Sequence, residues 1–354
     1  MSRKTLTAKA AVLTKVGAPL EIIEGIKIPA LKPGQVLVQM YYSGLCHSQL
    51  MEARGLRGED SWVPHMLGHE GTGKVVKIGK GVSKVKTGDT VVLGWIKGEG
   101  LDAGGAQYEG PNGEIINAGG VTTFSDFTVV SENRLVILPS GTPANLGVLY
   151  GCALPTGAGI VINQIKPHIN ATIAVFGLGG IGISALMASA LFSPKKLIAI
   201  DVEDSKLELA KSMGATHTFN PNKINIAEKV KEITGADGVD YAIEAAGLNS
   251  TISSAFEIVR RGGGRCIFAS HPAAGDKLHI DPFELICGKQ IEGSWGGNSI
   301  PDKDIPILGD LYEKGKLPIE NLLSHTYTLD NINDALDDLE SRKIVRALIT
   351  IAPP

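Results

Sequence analysis

The pattern of apolar and polar positions changes near residue 158. Before that point, short apolar stretches alternate with polar residues and are interrupted by Gly and Pro, as at 8–13, 20–23 and 36–40. Such alternation is typical of half-buried strands, and the first two stretches predict a hairpin. The first part of the chain is therefore predicted to be β-rich and folded into an antiparallel barrel.

After residue 158, apolar runs of strand length alternate with helical segments, which predicts an α/β fold with a parallel, doubly wound sheet. The predicted strands are 171–176, 196–200, 217–219, 239–244, 265–269 and 290–294. The predicted helices between them are 204–213, 224–234 and 249–260. Beyond residue 300 the pattern predicts a helix, a strand, a helix and a strand, at 303–314, 322–328, 330–342 and 344–351.

Three glycines follow the first of these strands with the spacing Gly177-x-Gly179-x-x-Gly182 and precede an apolar, helix-like stretch. They allow a tight turn, close approach of a pyrophosphate, and close packing of helix on strand. The helix N-terminus would offer free N–H groups to the phosphates. A tight turn without a ligand is the alternative, but the flanking elements favour a dinucleotide. The expected contacts are Gly177, Gly179, Gly180, Ile181 and Gly182.

An acidic residue, Asp201, ends the next strand, 19 residues past Gly182. A carboxylate at this place can accept hydrogen bonds from the ribose hydroxyls of NAD, and it would repel the 2′-phosphate of NADP. The sequence therefore predicts NAD as the cofactor.

Composition and charge indicate a globular protein and argue against nucleic acid and membranes as partners. A chain of 354 residues suits two domains, and 43% hydrophobic with 20% charged residues fits a soluble globular protein. A net charge of −3 argues against nucleic acid or an acidic membrane as the main partner. No apolar run reaches membrane-spanning length, and residues 1–4 lack the apolar segment of a signal peptide. The 4 cysteines are too widely spaced for a disulfide framework, so a cytoplasmic location is expected.

Four residues of types that zinc accepts lie in glycine-flanked segments: Cys46, His69, Glu70 and Cys152. Two thiolates and one imidazole would leave one tetrahedral position open, as in a catalytic zinc site. An open zinc can polarise an alcohol oxygen, which prepares the neighbouring carbon for hydride removal. The spacing alone does not bring these residues together, and composition alone favours two buried structural cysteines with a surface histidine.

Several motifs occur in a fixed order along the chain. They are Gly44-x-Cys46-His47-Ser48, Gly68-His69-Glu70-x-x-Gly73-x-x-x-x-x-Gly79-x-x-Val82, Gly88-Asp89-x-Val91, Cys152-x-x-x-Thr156-Gly157 and Lys343-Ile344-Val345-Arg346. With the glycine turn, this order resembles the zinc-containing alcohol dehydrogenases of the medium-chain dehydrogenase/reductase superfamily over essentially the whole chain. The resemblance implies a GroES-like β-barrel catalytic domain at 1–157 and 299–354, and a Rossmann NAD-binding domain at 158–298.

The resemblance also implies roles for individual residues. Cys46, His69 and Cys152 would bind the catalytic zinc, Glu70 would approach the metal during ligand exchange, and Ser48 would start a proton relay. The other implied contacts are with cofactor or substrate: His47 and Arg346 with the pyrophosphate, Asp201 and Lys206 with the ribose, Thr156 with the nicotinamide, Trp95 and His271 with the substrate. Core packing is an equal alternative for Trp95, as is a solvated helix position for Lys206, and a solvated loop is favoured for His271. His65 is expected to be an extended surface residue.

The sequence departs from the family pattern at three places. The segment 97–121, a predicted loop or small lobe, lacks the four cysteines that bind a structural zinc in many relatives, so one zinc is predicted. The lobe should then be held by other contacts or be mobile. Gln49 stands where relatives usually place an aspartate that supports the zinc-bound histidine. Met51 replaces the histidine that ends the proton relay in some relatives.

The predicted function is an NAD- and zinc-dependent alcohol dehydrogenase acting on a primary or secondary alcohol, or on the corresponding aldehyde or ketone. A zinc-free quinone or enoyl reductase would lack the Cys/His/Cys set. A reductase of an activated double bond or an iminium stays open because of Gln49 and Met51, and a non-enzymatic scaffold is a further alternative. Short alcohols, aromatic alcohols, polyols and cyclitols all remain candidate substrates. The resemblance implies a homodimer or homotetramer, paired through the strand near 291–295.

Overall fold

The computed structural model describes residues 6–354, so the expectation about export, which depends on residues 1–4, lies outside the described residues. The chain divides into two compact units. The first comprises the residues up to Cys152 with Ile300–Lys314 and Ile319–Pro354, and the second comprises Ala153–Ser299 and Gly315–Pro318. The first unit ends at Cys152 and not at the predicted residue 157, because α3 (Ala153–Gly159) packs on α4 (Gly180–Ala190) of the second unit.

The first unit contains a closed barrel with the strand order β1-β2-β7-β8-β4. Its strands are β1 Thr7–Leu13, β2 Glu21–Lys27, β4 His65–Met66, β7 Ala106–Glu109 and β8 Ile115–Ala118. Alternation in β1 sets its two faces: Ala8, Ala10 and Val12 join the core of the barrel, while Ala11 and Leu13 join a second core cluster. The predicted hairpin and barrel are therefore present, although one pairing, β4 with β8, is parallel.

A larger sheet with the order β10-β6-β5-β3-β18-β17 forms the rest of the first unit, and β9 also pairs with β3. Its strands are β3 Gln35–Leu45, β5 Gly71–Ile78, β6 Thr90–Leu93, β9 Phe127–Ser131, β10 Leu135–Ile137, β17 His325–Thr328 and β18 Ala347–Thr350. The α-helices of this unit are α1 His47–Ala53, α2 Ala144–Gly147, α9 Pro301–Glu313 and α10 Ile332–Glu340. Strand β3 pairs with β9 along its first half and with β18 along its second, so the C-terminal strand reaches the start of α1.

The cysteine-free segment 97–121 is held by a buried carboxylate. Glu132, fully buried, accepts hydrogen bonds from the backbone N–H groups of Ser83, Lys84 and Leu101 at 2.6, 2.8 and 2.8 Å. Asp302 accepts from the backbone N–H of Glu99 at 2.6 Å. The second half of the segment is the β7–β8 hairpin of the barrel. Of the two predicted alternatives, a long loop is therefore wrong for residues 106–118.

Glu132 should therefore contribute measurably to stability. Burial alone would raise the pKa of its carboxyl, but the hydrogen bonds from Leu101, Lys84 and Ser83 hold that pKa below its ordinary value. Replacing Glu132 by glutamine should lower the free energy of unfolding by about 1.5–3 kcal/mol at neutral pH, since hydrogen bonds to charged groups are worth this much. Urea denaturation measures the loss.

Because the folded pKa of Glu132 is depressed, its stabilisation is present above the unfolded pKa and is lost as the pH falls through the folded one. The difference between wild type and Glu132→Gln should therefore shrink in acid. The exposed pair of Glu109 with Lys27 provides a control, and Glu109→Gln should cost at most about 1 kcal/mol. An equal cost for the two variants would contradict this account of the lobe.

The second unit is a parallel sheet with the order β13-β12-β11-β14-β15-β16. Its strands are β11 Thr172–Phe176, β12 Lys196–Ile200, β13 His217–Phe219, β14 Tyr241–Glu244, β15 Arg265–Phe268 and β16 Gln290–Gly293. Besides α3 and α4, its α-helices are α5 Asp204–Ser212, α6 Ile226–Thr234, α7 Asn249–Ile258 and α8 Pro282–Ile286. Strands β11 and β12 are apolar and buried along almost their whole length, as expected of a sheet covered on both faces. The predicted doubly wound sheet is confirmed.

Within residues 6–354, no single helix is both long and apolar enough to cross a bilayer. The bent pair Ala144–Gly151 and Ala153–Ile165 meets the two criteria only when its members are taken together.

Candidate metal centre and nucleotide-binding turn

Three distant residues of the first unit converge at one point: Cys46, His69 and Cys152. Cys46 lies in extended backbone between β3 and α1, His69 follows β4 across the left-handed Gly68, and Cys152 separates a 3₁₀ turn, Val148–Gly151, from α3. Their ligating atoms all lie within 4.8 Å of one another, and the two Sγ atoms are 4.0 Å apart. Cys46, His69 and Cys152 therefore do come together, which their spacing in the sequence could not show.

The geometry and chemistry of this group fit a zinc ion. Tetrahedral zinc with Zn–S bonds of about 2.3 Å holds two sulfurs about 3.8 Å apart, close to the separation found here. The Nε2 atom of His69 is buried and has no hydrogen-bond partner, as expected of a nitrogen reserved for a metal. Two sulfurs and one imidazole nitrogen would occupy three of four tetrahedral positions and leave one for substrate.

The three side chains already influence each other's protonation. Hydrogen bonding from the Cys152 thiol lowers the pKa of Cys46 well below its ordinary value, against the opposing effect of burial. The same contact, together with burial, raises the pKa of Cys152 well above its ordinary value. Burial alone would lower the pKa of His69, but the neighbouring Cys46 raises it. Of the two thiols, Cys46 is therefore the one whose thiolate form the surroundings favour.

A second group of metal-binding types, Glu52, Asp60 and His65, also lies within 4.8 Å. Both ring nitrogens of His65 have partners, since Nε2 lies 2.7 Å from Asp60 Oδ2 and Nδ1 lies 3.0 Å from the carbonyl oxygen of Met66. His65 therefore lacks the open nitrogen that marks His69. The prediction of a surface position for His65 was wrong: it is 7% exposed in β4, because the barrel strand and Asp60 enclose it.

Next to the metal centre lies a buried ion pair that the sequence did not predict. The guanidinium of Arg346 contacts both carboxylate oxygens of Glu70, and the two residues are 4% and 0% exposed. Burial raises the pKa of Glu70 while Arg346 opposes that rise, and Glu70 in turn raises the pKa of Arg346 despite its burial. Arg346 was predicted to contact a pyrophosphate, and Glu70 to approach the metal. In the structure Glu70 and Arg346 are instead partners of each other. The Nε atom of Arg346 is buried and has no hydrogen-bond partner.

Three other predicted residues of the first unit are Ser48, His47 and Trp95. Ser48, in the first turn of α1, has a buried Oγ without a hydrogen-bond partner, while the neighbouring His47 is exposed. Trp95 is half-buried, and its backbone N–H donates to the Gly151 carbonyl at 3.4 Å.

In the second unit, the glycine turn has the properties expected of a phosphate-binding loop. Gly177 has φ of +80°, and a Cβ on Gly182 would overlap the carbonyl oxygen of Gly177, so neither position admits a side chain easily. A Cβ on Gly179 would meet nothing within 4 Å. Helix α4 begins at Gly180 and Ile181 with no side-chain cap, so its first N–H groups are available to an anion. The residues present fit a dinucleotide.

The remaining predicted residues of the second unit are placed as follows. Asp201 ends β12 and is 9% exposed, and its carboxylate accepts from the backbone N–H of Leu178 at 2.6 Å and of Glu203 at 2.9 Å. Thr156 is buried with an unpartnered Oγ1, and Lys206 is half-buried on α5. His271 is exposed after β15, which agrees with the favoured loop position. Through the hydrogen bond from Leu178, Asp201 connects the glycine turn to the end of β12.

Sequence reasoning missed two carboxylate partners, the Glu70–Arg346 pair and the backbone acceptor Glu132. The first joins residues 276 positions apart, and no local pattern signals it. It also missed α8, although the signal was there: Asp281 caps the helix by accepting from the backbone N–H of Phe283 at 2.9 Å, and Pro282 occupies its first turn.

Two protein-family models match this chain. The alcohol dehydrogenase GroES-like domain family matches residues 32–140, and the zinc-binding dehydrogenase family matches residues 180–314. S-(hydroxymethyl)glutathione dehydrogenase of Synechocystis sp. is 32% identical over 97% of this chain and 100% of its own, and that of Paracoccus denitrificans is 30% identical over the same shares.

Two solved structures share the fold along the chain. An alcohol dehydrogenase zinc-binding domain protein from Burkholderia ambifaria has a TM-score of 0.89 at 31% identity, covering 98% of this chain and 99% of its own. Benzyl alcohol dehydrogenase from Acinetobacter calcoaceticus has a TM-score of 0.87 at 29% identity, covering 98% and 100%. The chain belongs to the zinc-containing alcohol dehydrogenases of the medium-chain dehydrogenase/reductase superfamily.

Proposed function

We propose that the protein oxidises a primary or secondary alcohol to the aldehyde or ketone, or reduces the carbonyl compound, with NAD as hydride carrier and one zinc ion per subunit. The observation that carries the proposal is the convergence of Cys46, His69 and Cys152 around an unpartnered, buried His69 Nε2. Membership of a dehydrogenase family supports the reaction type.

Cys46, Cys152 and His69 would hold the zinc, which when bound supplies a Lewis acid for the substrate oxygen. Ser48 contributes a buried hydroxyl whose Oγ has no other partner, so it is available to accept the proton of the substrate hydroxyl and pass its own onward. Arg346 neutralises the buried carboxylate of Glu70, the residue next to His69, so this charge would not compete with the substrate for the metal.

NAD rather than NADP is supported by the charges at the end of β12. Asp201, Glu203 and Asp204 place three carboxyl groups within four positions, which would repel a 2′-phosphate. The free N–H groups of α4 suit the pyrophosphate. The roles of Thr156 beside the nicotinamide, of Lys206 beside the ribose, and of His47 and Arg346 beside the pyrophosphate remain part of the proposal, as do substrate contacts by Trp95 and His271.

The substrates named for two relatives suggest which alcohols to assay first. S-(hydroxymethyl)glutathione and benzyl alcohol, named for two of them, both carry a primary hydroxyl group. A reductase of an activated double bond or an iminium is the second candidate. It is favoured by the departures at Gln49, which contacts a proposed zinc ligand, and at Met51, which is buried at the expected end of the proton relay.

An activity measurement tests the proposal. The full-length protein should reduce NAD with members of a panel of short, aromatic and cyclic alcohols and S-(hydroxymethyl)glutathione, and it should prefer NAD to NADP. A strong chelator should abolish the activity, and zinc should restore it, because the Lewis acid is worth several kcal/mol. Full activity of metal-free protein would contradict the proposed mechanism. Turnover of enones or iminiums without turnover of alcohols would favour the second candidate.

A homodimer or homotetramer is also proposed. Strand β16 stands at the end of the parallel sheet, and one of its edges is not paired with any strand of residues 6–354. The neighbouring α8 exposes Phe283 and Ile286 at 56% and 79%. An open strand edge beside exposed apolar side chains favours pairing with another chain. Sedimentation equilibrium should give a mass of two or four chains, and a monomer at micromolar concentration would contradict this.

A further inference from the structure

Gln49 is in direct contact with His69 in the interior of the first unit. It lies on α1, three positions after Cys46, and its backbone N–H donates to the Cys46 carbonyl at 3.0 Å. Its side chain is 2% exposed, and its amide nitrogen contacts Nδ1 of His69. Gln49 therefore touches one proposed metal ligand and is fixed to a second through the backbone.

Hydrogen-bond chemistry determines how this contact must be arranged. A histidine that binds a metal through Nε2 carries its proton on Nδ1, so Nδ1 donates and needs an acceptor. The amide nitrogen of Gln49, which faces Nδ1, cannot accept, while its Oε1 is buried and has no partner. Rotating the terminal amide by half a turn brings the oxygen to Nδ1, and the two ends of an amide are distinguished only by such a network.

The contact also places an uncharged amide, and not a carboxylate, next to the imidazole of His69. A carboxylate accepting from Nδ1 would raise the basicity of the imidazole and tighten its hold on a cation, whereas an amide accepts the same hydrogen bond without a negative charge. The nearest carboxylate in sequence, Glu70, is already neutralised by Arg346. The side chain that contacts His69 Nδ1 is the uncharged Gln49.

We propose that Gln49 is a positioning residue of the metal centre: its Oε1 accepts the Nδ1–H of His69, aims Nε2 at the cation, and sets a moderate metal affinity because the amide carries no charge. This inference rests on the proposed zinc centre. It predicts that removing the acceptor weakens zinc binding and that supplying a carboxylate strengthens it.

Zinc affinity of the full-length protein, measured by competition with a chelator of known affinity at pH 7, tests the inference without an activity assay. Gln49→Leu should weaken zinc binding about 10–100-fold, the range found for partners of metal-binding histidines, and Gln49→Asp should tighten it relative to wild type. Gln35→Leu is the matched control. Gln35 is likewise a buried amide of the first unit, 1% exposed, but it bonds to Gly105 and Lys32. It should leave the zinc affinity unchanged.

The imidazole proton provides a second readout. In histidine-labelled, zinc-loaded protein, the Nδ1–H of His69 should give an exchange-protected NMR signal in wild type and Gln49→Asp, and this signal should be lost in Gln49→Leu. Equal zinc affinity in all three Gln49 proteins, or an affinity lowered by aspartate, would overturn the inference alone. A wild-type protein that takes up no zinc would overturn the proposed function, and the inference with it.

Discussion

Replacing Cys152 by serine should remove zinc from the purified protein and lower kcat with any alcohol substrate by at least about a thousandfold. The reason is that Cys152 would supply one of the two thiolates of the proposed three-residue metal site. A metal acting as Lewis acid contributes several kcal/mol to the transition state, and each 1.36 kcal/mol is a factor of ten. Steady-state kinetics together with metal analysis of the same sample gives both values.

The chain offers a matched control for this variant. Cys266 is also a free, fully buried thiol, but it lies on β15 in the parallel sheet of the second unit. Cys266→Ser changes the same atom in a buried site and should retain zinc and activity. If both variants keep their zinc, or if Cys152→Ser loses zinc and still oxidises alcohols at the wild-type rate, Cys152 has no catalytic metal to hold.

Replacing Arg346 by alanine should have the largest effect on stability. It leaves Glu70, 0% exposed, without the guanidinium that compensates its charge. Breaking a buried pair on one side typically costs about 3–5 kcal/mol. Urea denaturation should show this loss at neutral pH, whereas Arg54→Ala, which breaks the more exposed pairs with Asp337 and Glu340, should cost about 1 kcal/mol or less.

The pH dependence of the Arg346→Ala variant follows from Glu70. Burial raises the pKa of Glu70, and in the variant Arg346 no longer opposes that rise. A carboxyl whose folded pKa is raised costs nothing below its unfolded pKa, and the cost grows as the pH rises toward the folded pKa. The variant should therefore approach wild-type stability in acid and fall behind it toward neutral pH. Adding Glu70→Gln should recover part of the loss, and a pH-independent loss would indicate a packing defect.

Periodicity predicted the second unit well because parallel strands buried on both faces are short, continuous apolar runs. The six strands from Thr172 to Gly293 begin and end within about two residues of their predicted bounds. The glycine turn was equally predictable, since Gly177 has a left-handed φ of +80° and Gly182 lies against the carbonyl oxygen of Gly177 in the same turn.

Contacts between segments that are distant in sequence were harder to predict. Nothing in spacing brings Cys46 to Cys152, which lie 106 positions apart, and only the family resemblance suggested it. The Glu70–Arg346 pair depends on β18 returning to β3, a pairing that no short pattern encodes. His65 was predicted to lie at the surface because its segment is extended, yet it is buried with Asp60 as its partner. The lobe without cysteines gave no sign that Glu132 would hold it.

X-ray absorption at the zinc edge of freshly purified protein tests the central claim most directly. The account predicts a zinc signal with two sulfur neighbours at about 2.3 Å and lighter neighbours, nitrogen or oxygen, at about 2.0–2.1 Å. Absence of zinc, a shell with no sulfur, or a four-sulfur shell would contradict a catalytic centre made of Cys46, His69 and Cys152.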